Sequence, residues 1–205
     1  MPDFNHSYDY INLLISTLAI ILIYIIVLSL KEFVAEVTSN AQNDSLTSLF
    51  SRKYINDVMP IILGEMRRHG RLMSIMFLDC DNFKGMNDNF GHAAGDKVLR
   101  IIAESILDTI RVGDIPVRLG GDEFIVFFFE TSGLQLKAVI DRCVSKLDEE
   151  MKNRGWPVTF SVGVVEFHIL PENIDDAIAY VDHVMYRAKR EGKNRVIYEQ
   201  NTTLL

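Results

Sequence analysis

Apolar positions recur along the chain at three periods, and each period predicts a different kind of element. From Ile11 to Leu30 (INLLISTLAIILIYIIVLSL) nearly every position is apolar, and no charged residue occurs between Asp9 and Lys31. At about 1.5 Å per residue, such a helix crosses a hydrocarbon core of about 30 Å. Helical spacing of three and four follows in Tyr54, Ile55, Val58, Ile62 and Met66, which predicts an amphipathic helix over about Arg52 to His69 stopped by Gly70. Pro60 falls inside it and predicts a kink or a delayed start, because proline removes one helical hydrogen bond. Leu72 to Leu78 reads as a short apolar strand ending in Asp79-Cys80-Asp81. Val98, Leu99, Ile102, Ala103, Ile106 and Ile110 then predict a helix from Gly95 to Ile110.

Two β-branched or apolar runs follow, Ile115 to Leu119 and Phe124 to Phe129, separated by Gly120-Gly121. Paired glycines supply the positive φ angles of a tight turn, so the stretch predicts a β-hairpin. A helix over about Leu134 to Lys152, a strand at Val158 to Phe167, a helix over Asp175 to Arg190 and a strand at Arg195 to Tyr198 complete the chain. The order strand, helix, strand, strand, helix, strand is that of an α+β, ferredoxin-like split βαβ domain with a mostly antiparallel sheet. The predicted organisation is a tail at 1–10, a transmembrane helix at 11–30, a helical juxtamembrane linker at 31–43 and a globular domain at 44–205. In the linker, Phe33, Val34, Val37 and Ala41 lie roughly on one side.

Charge refines this picture. The 205 residues carry a net charge of -7, which argues against a protein built to grip nucleic acid. Only two cysteines occur, Cys80 and Cys143, without metal-ligand spacing, as expected of reduced cytoplasmic thiols. No Lys or Arg precedes the apolar run and no Ala-x-Ala site follows it, which favours a retained anchor over a cleaved signal peptide. Lys31, Arg52 and Lys53 follow the span, so the C-terminal side is expected to be cytoplasmic.

Candidate chemistry gathers at the hairpin. In a split βαβ sheet the first strand lies beside the hairpin, so Asp79 at its end approaches Asp122 just after the glycines. An isolated glycine turn with acids behind it is commonly only solvated. Two carboxylates converging from separate segments form a sparse oxygen site suited to Mg²⁺, which completes its shell with water and substrate phosphates. Lys84, Lys189 and Lys193 are the cations at hand for phosphates, although the last two also complement a helix C-terminus.

At four separated places the chain closely resembles the GGDEF family of diguanylate cyclases. These are Asp44-Ser45-Leu46-Thr47-Ser48-Leu49; Asp79 through Asp88 with Gly91-His92 and Gly95-Asp96; Gly120 to Phe124; and Ser161-Val162-Gly163-Val164 followed by Tyr186 to Asn194. The resemblance implies GTP as substrate, two Mg²⁺ ions (Mn²⁺ able to substitute), cyclic di-GMP and pyrophosphate as products, and a homodimer at the bacterial inner membrane with its catalytic domain cytoplasmic. It implies Asp79, Asp122 and the Cys80 backbone carbonyl as metal ligands, with Asp122 or Glu123 activating the attacking hydroxyl. Phe83, Lys84, Asn87, Asp96, Gly120, Gly121, Lys189 and Lys193 would contact GTP, Asn87 and Asp96 by reading guanine. Arg111 and Asp114 match a product-binding inhibitory site. The alternative is a catalytically silent module that binds cyclic di-GMP or GTP. Ser48 and Ser51 stand where the family usually has Gly and Asn, and Lys193 where Arg is common, which keeps the charge but loses the bidentate fork.

Overall fold

The computed structural model describes the backbone of residues 4–39 and 42–203, with side chains over 13–31 and 42–203. The chain divides into two compact units, residues 1–41 and 42–205. The first is a single helix, α1 (Phe4–Ser39), which starts within the expected tail and continues through most of the expected linker. Its segment Leu13–Lys31 is long and apolar enough to cross a membrane, with a mean hydropathy of 2.9. The apolar side expected at Phe33, Val34, Val37 and Ala41 lies outside the described side chains.

The second unit is an α+β domain in the order β1 (Phe50–Ser51), α2 (Arg52–Arg68), β2 (Met73–Asp81), α3 (Phe83–Phe90), α4 (His92–Leu107), β3 (Ile115–Gly120), β4 (Glu123–Phe129), α5 (Gly133–Arg154), β5 (Thr159–Phe167), α6 (Ile174–Arg190) and β6 (Arg195–Asn201). The six strands form one sheet in the order β1-β3-β4-β2-β5-β6. β2 pairs antiparallel with both β4 and β5, and β3 with β4. The inner four strands therefore carry the split βαβ arrangement, extended at its edges by the parallel strands β1 and β6.

Strand alternation distributes β2 between two cores, because successive side chains point to opposite faces. Met76, Leu78 and Cys80 pack with α4 and α5 residues such as Ile102, Leu136 and Leu147. Met73, Ile75 and Phe77 pack with α2 and α6 residues such as Met59, Leu63, Val181 and Met185. Both faces are covered, so β2 is buried along its whole length. Gly163 in β5 permits the closest helix approach. A Cβ there would stand 2.4 Å from the Met185 backbone nitrogen and 2.8 Å from the Val181 carbonyl oxygen.

One expectation is corrected and two are sharpened. α2 begins at Arg52 with Pro60 inside it, so of the kink or delayed start expected there, the delay is absent. The helix expected from Gly95 begins at His92 and is preceded by α3, separated from it by Gly91 at a φ of 82°. β2 runs from Met73 to Asp81, so Asp79, Cys80 and Asp81 are its last three residues, as the strand expected to end in them required.

Candidate active site

The glycine hairpin closes over the end of β2. β4 faces β2 in a register that sets Glu123 directly across from Asp79. A bulge between Arg118 and Gly120 re-aims the turn, where Gly120 and Gly121 have φ of 147° and 53°. A side chain would be strained at either φ, and no atom lies within 4 Å of where its Cβ would stand. Pairing of β2 with β4 ends at Asp79, while pairing with β5 runs on to Asp81. The Cys80 peptide thus lies past the last β4 pair, beside the turn, while the Cys80 side chain is buried in the opposite core.

Opposed acids in adjacent strands repel, and here a lysine offsets the repulsion. Lys189, in the last turn of α6, donates to Asp79 Oδ2 at 2.7 Å. Burial pushes the Asp79 carboxyl up to about 6; Lys189 pulls against this, and the charges of Asp122 and Glu123 add to it. Asp122 is also raised, first by burial, against its own backbone hydrogen bond and the charges of Lys189 and Arg118. Glu123 is raised by burial and then by Asp182 of α6 and Asp122, with Arg52 and Lys189 opposing. Asp79, Asp122, Glu123 and Lys189 therefore form one electrostatic cluster.

Residues beyond the expected set brace this cluster. Asp81, only 4 % exposed, accepts from Ser161 Oγ at 2.8 Å, Thr159 Oγ1 at 2.9 Å and the Asn194 backbone N–H at 3.1 Å. It ties the loop after α6 to the sheet, so it is a strut. Its signal in the sequence was the alternation that puts positions 79 and 81 on one face. Arg118 donates through Nε and Nη2 to the Gly121 carbonyl at 3.1 and 2.7 Å, and through Nη1 to Asp44 Oδ1 at 2.9 Å. Asp44 also accepts from the Thr47 backbone N–H and hydroxyl. The turn that opens the domain is thereby fastened to the glycine hairpin. Burial raises the Asp44 carboxyl, but the hydrogen bonds from Thr47 and Arg118 outweigh it and hold the group below its ordinary value.

The other expected residues occupy three further places. Phe83 and Asn87 of α3 lie against Gly95 of α4, where a Cβ would stand 1.9 Å from Asn87 Oδ1 and 3.3 Å from the Phe83 ring, and Asp96 is the next residue. Lys84 is exposed on α3. Lys193 follows α6 at a φ of 61°, its N–H donating to the Ala188 carbonyl, and it is exposed. Arg111 and Asp114 face each other across a turn, the Arg111 N–H donating to Asp114 Oδ2 at 3.0 Å and the Asp114 N–H to the Arg111 carbonyl at 3.0 Å. The Arg111 guanidinium also bonds Thr131 Oγ1. Both residues line a cavity of about 380 Å³ with Leu107, Ile110, Val112 and Pro116. A cavity of about 420 Å³ reaches Phe129 and Glu130, at the far end of β4 from Glu123, and so lies away from the acids.

No three His, Cys, Asp or Glu side chains converge as a ready-made metal cage among the described residues. Asp79, Asp122 and the Cys80 carbonyl are instead a sparse, all-oxygen set beside a glycine turn. Such a set fits Mg²⁺, which takes one or two carboxylates and draws on phosphates and water for the rest.

Comparison with known proteins agrees with this geometry. A family model described as "Diguanylate cyclase, GGDEF domain" matches residues 41–195. Diguanylate cyclase VdcA of Vibrio cholerae is 33% identical over 203 residues, 95% of this chain and 56% of VdcA. Diguanylate cyclase DosC of Escherichia coli is 30% identical over 176 residues, 83% of this chain and 38% of DosC, so the chain spans roughly half or less of these relatives. The crystal structure of the coiled coil and GGDEF domain of DgcB from Caulobacter crescentus, in complex with c-di-GMP, superposes with a TM-score of 0.69 at 26% identity, covering 90% of this chain and 98% of that one. The family match runs from residue 41, ahead of β1, to the first residue of β6 and takes in the acids, the glycine hairpin and Lys189, and on that basis the chain belongs to the GGDEF-domain family of diguanylate cyclases.

Proposed function

We propose that this protein is a diguanylate cyclase that condenses two GTP into cyclic di-GMP and two pyrophosphates. The observation that carries this reading is the register that sets Asp79 across from Glu123, beside Asp122 and a Gly-Gly turn, with Lys189 of α6 on Asp79. In each half-reaction the 3′-oxygen of one GTP bonds to the α-phosphorus of the other, the bond to the β-phosphate breaks, and pyrophosphate leaves. Asp122 or Glu123 takes the hydroxyl proton, a role suited to carboxyls whose proton affinity is already raised. Lys189 and Lys193 hold the outer phosphates with Lys84 nearby, and Gly120 and Gly121 let the nucleotide approach the backbone. Asn87 and Asp96 accept from the guanine N–H groups, with Phe83 beside them. Asp79, Asp122 and the Cys80 carbonyl would hold Mg²⁺ or Mn²⁺, which supplies charge neutralisation at the attacking and leaving oxygens.

One domain takes one GTP, so catalysis requires two copies face to face. Leu13–Lys31 serves as a single-span anchor in the bacterial inner membrane with the domain on the cytoplasmic side, and confinement in one membrane raises the effective concentration of partners. Arg111 and Asp114 bind the product at the 380 Å³ cavity and feed back on synthesis. The test is mass spectrometry of the full-length chain in detergent micelles after incubation with GTP and Mg²⁺. Cyclic di-GMP is expected from the wild type and none from Asp122→Ala. Added cyclic di-GMP should slow the wild type but not Arg111→Ala, and equal inhibition of the two would remove the feedback site.

A further inference from the structure

Lys189 is committed to Asp79 by more than proximity. The Asp79 side chain is 7% exposed, so little water solvates its charge, and the ammonium 2.7 Å away is its counter-ion. α6 cannot drift to relax this contact. Its backbone lies against Gly163, its end is capped by the Lys193 N–H on the Ala188 carbonyl, and the loop beyond is pinned by the Asn194 N–H on Asp81. The ammonium therefore leaves Asp79 by side-chain rotation, and an incoming anion would receive it.

We propose that Lys189 is the resident counter-cation of the acid cluster: it sits on the Asp79 carboxylate that would take a divalent ion, so metal binds more tightly together with a nucleoside triphosphate, whose phosphates receive the displaced ammonium. This rests on the reading that Asp79 takes the metal and Lys189 the phosphates. A divalent ion arriving alone would compete with a charge-assisted hydrogen bond and stand beside the ammonium, like charge against like. A nucleoside triphosphate reverses both effects, because its phosphates give Lys189 a second partner and separate the cations. The two ligands are thus positively coupled, and coupling in binding is reciprocal. An ion pair that only fastened α6 to the sheet would do none of this.

The test is Mn²⁺ binding to the full-length chain in detergent micelles, followed by electron paramagnetic resonance with and without a non-hydrolysable GTP analogue. Without nucleotide, Lys189→Met and Lys189→Gln should each bind Mn²⁺ about tenfold more tightly than wild type, a change equivalent to about 1.4 kcal/mol. With Mn²⁺ present, both should bind the analogue more weakly. Nucleotide-free affinity that is unchanged or lower in the folded variants, as a purely structural ion pair would give, overturns the proposal. Asp79→Asn separates this from failure of the underlying reading. If that variant binds Mn²⁺ and analogue as wild type does, Asp79 is not a metal ligand and the reading itself falls.

Discussion

Gly163→Ala is expected to destabilise the fold and weaken the site, and its size can be worked from one contact. The new methyl would meet the Met185 nitrogen at 2.4 Å, the Val181 oxygen at 2.8 Å and the Met185 Cα at 2.9 Å. All three are helix or strand backbone, so no side chain can swing aside. Reaching ordinary van der Waals contact requires α6 to retreat by roughly 1 Å, and overpacking of this kind costs about 3 kcal/mol. For a domain of this size, that lowers the melting temperature by about 6–12 °C. The same retreat draws Lys189 away from Asp79, since both contacts belong to α6. The single tryptophan, Trp156, lies in the second unit just after α5, so its fluorescence follows unfolding of this domain without signal from α1. Thermal melts should show the drop, and cyclic di-GMP synthesis below the new transition should fall with it. A variant melting within about 2 °C of wild type would refute the close-approach argument.

Ser48 adopts a left-handed φ of 62°, the conformation that explains why glycine is usual there, so Ser48→Gly should stabilise the domain by about 0.5–1 kcal/mol in the same melts. Asp79 makes stability pH-dependent in an uncommon direction. Its proton affinity is raised on folding, to about 6 from an ordinary value of 3.8, so the folded state favours the protonated form. In the absence of added metal, this contribution is fully present below the unfolded value and is lost as pH rises through about 6. Asp79→Asn should flatten stability across that window, and an unchanged slope between about pH 4 and 6 would show that another group sets it.

Much of the domain was legible because its elements are strongly periodic. The hairpin strands were expected to within a residue, and α5 and α6 to within about two residues. The topology followed from their order, and so did the meeting of Asp79 with the hairpin acids. What escaped lacks a periodic signal. β1 is two residues long and exists only through its parallel pairing with β3. α3 is an eight-residue helix containing Gly85, started by Asn82 at a φ of 63°, where side chains alone suggest a loop. The polar residues Glu199, Gln200 and Asn201 hid the end of β6, which is held by parallel pairing with β5. At the site, charge type and position were visible but partners were not. The contact of Lys189 with Asp79 was not foreseen, and nothing local marked Arg118 as the link from Asp44 to the Gly121 carbonyl.

The central claim is attack on the α-phosphate of GTP at the Asp79–Asp122–Lys189 cluster, and the fate of labelled phosphates tests it most directly. With Mg²⁺ and the full-length wild type in micelles, label in the α-phosphate should pass into cyclic di-GMP and label in the γ-phosphate into pyrophosphate, while Asp122→Ala should transfer neither. Release of γ-label as inorganic phosphate, or no turnover by folded, dimeric wild type, would contradict the account.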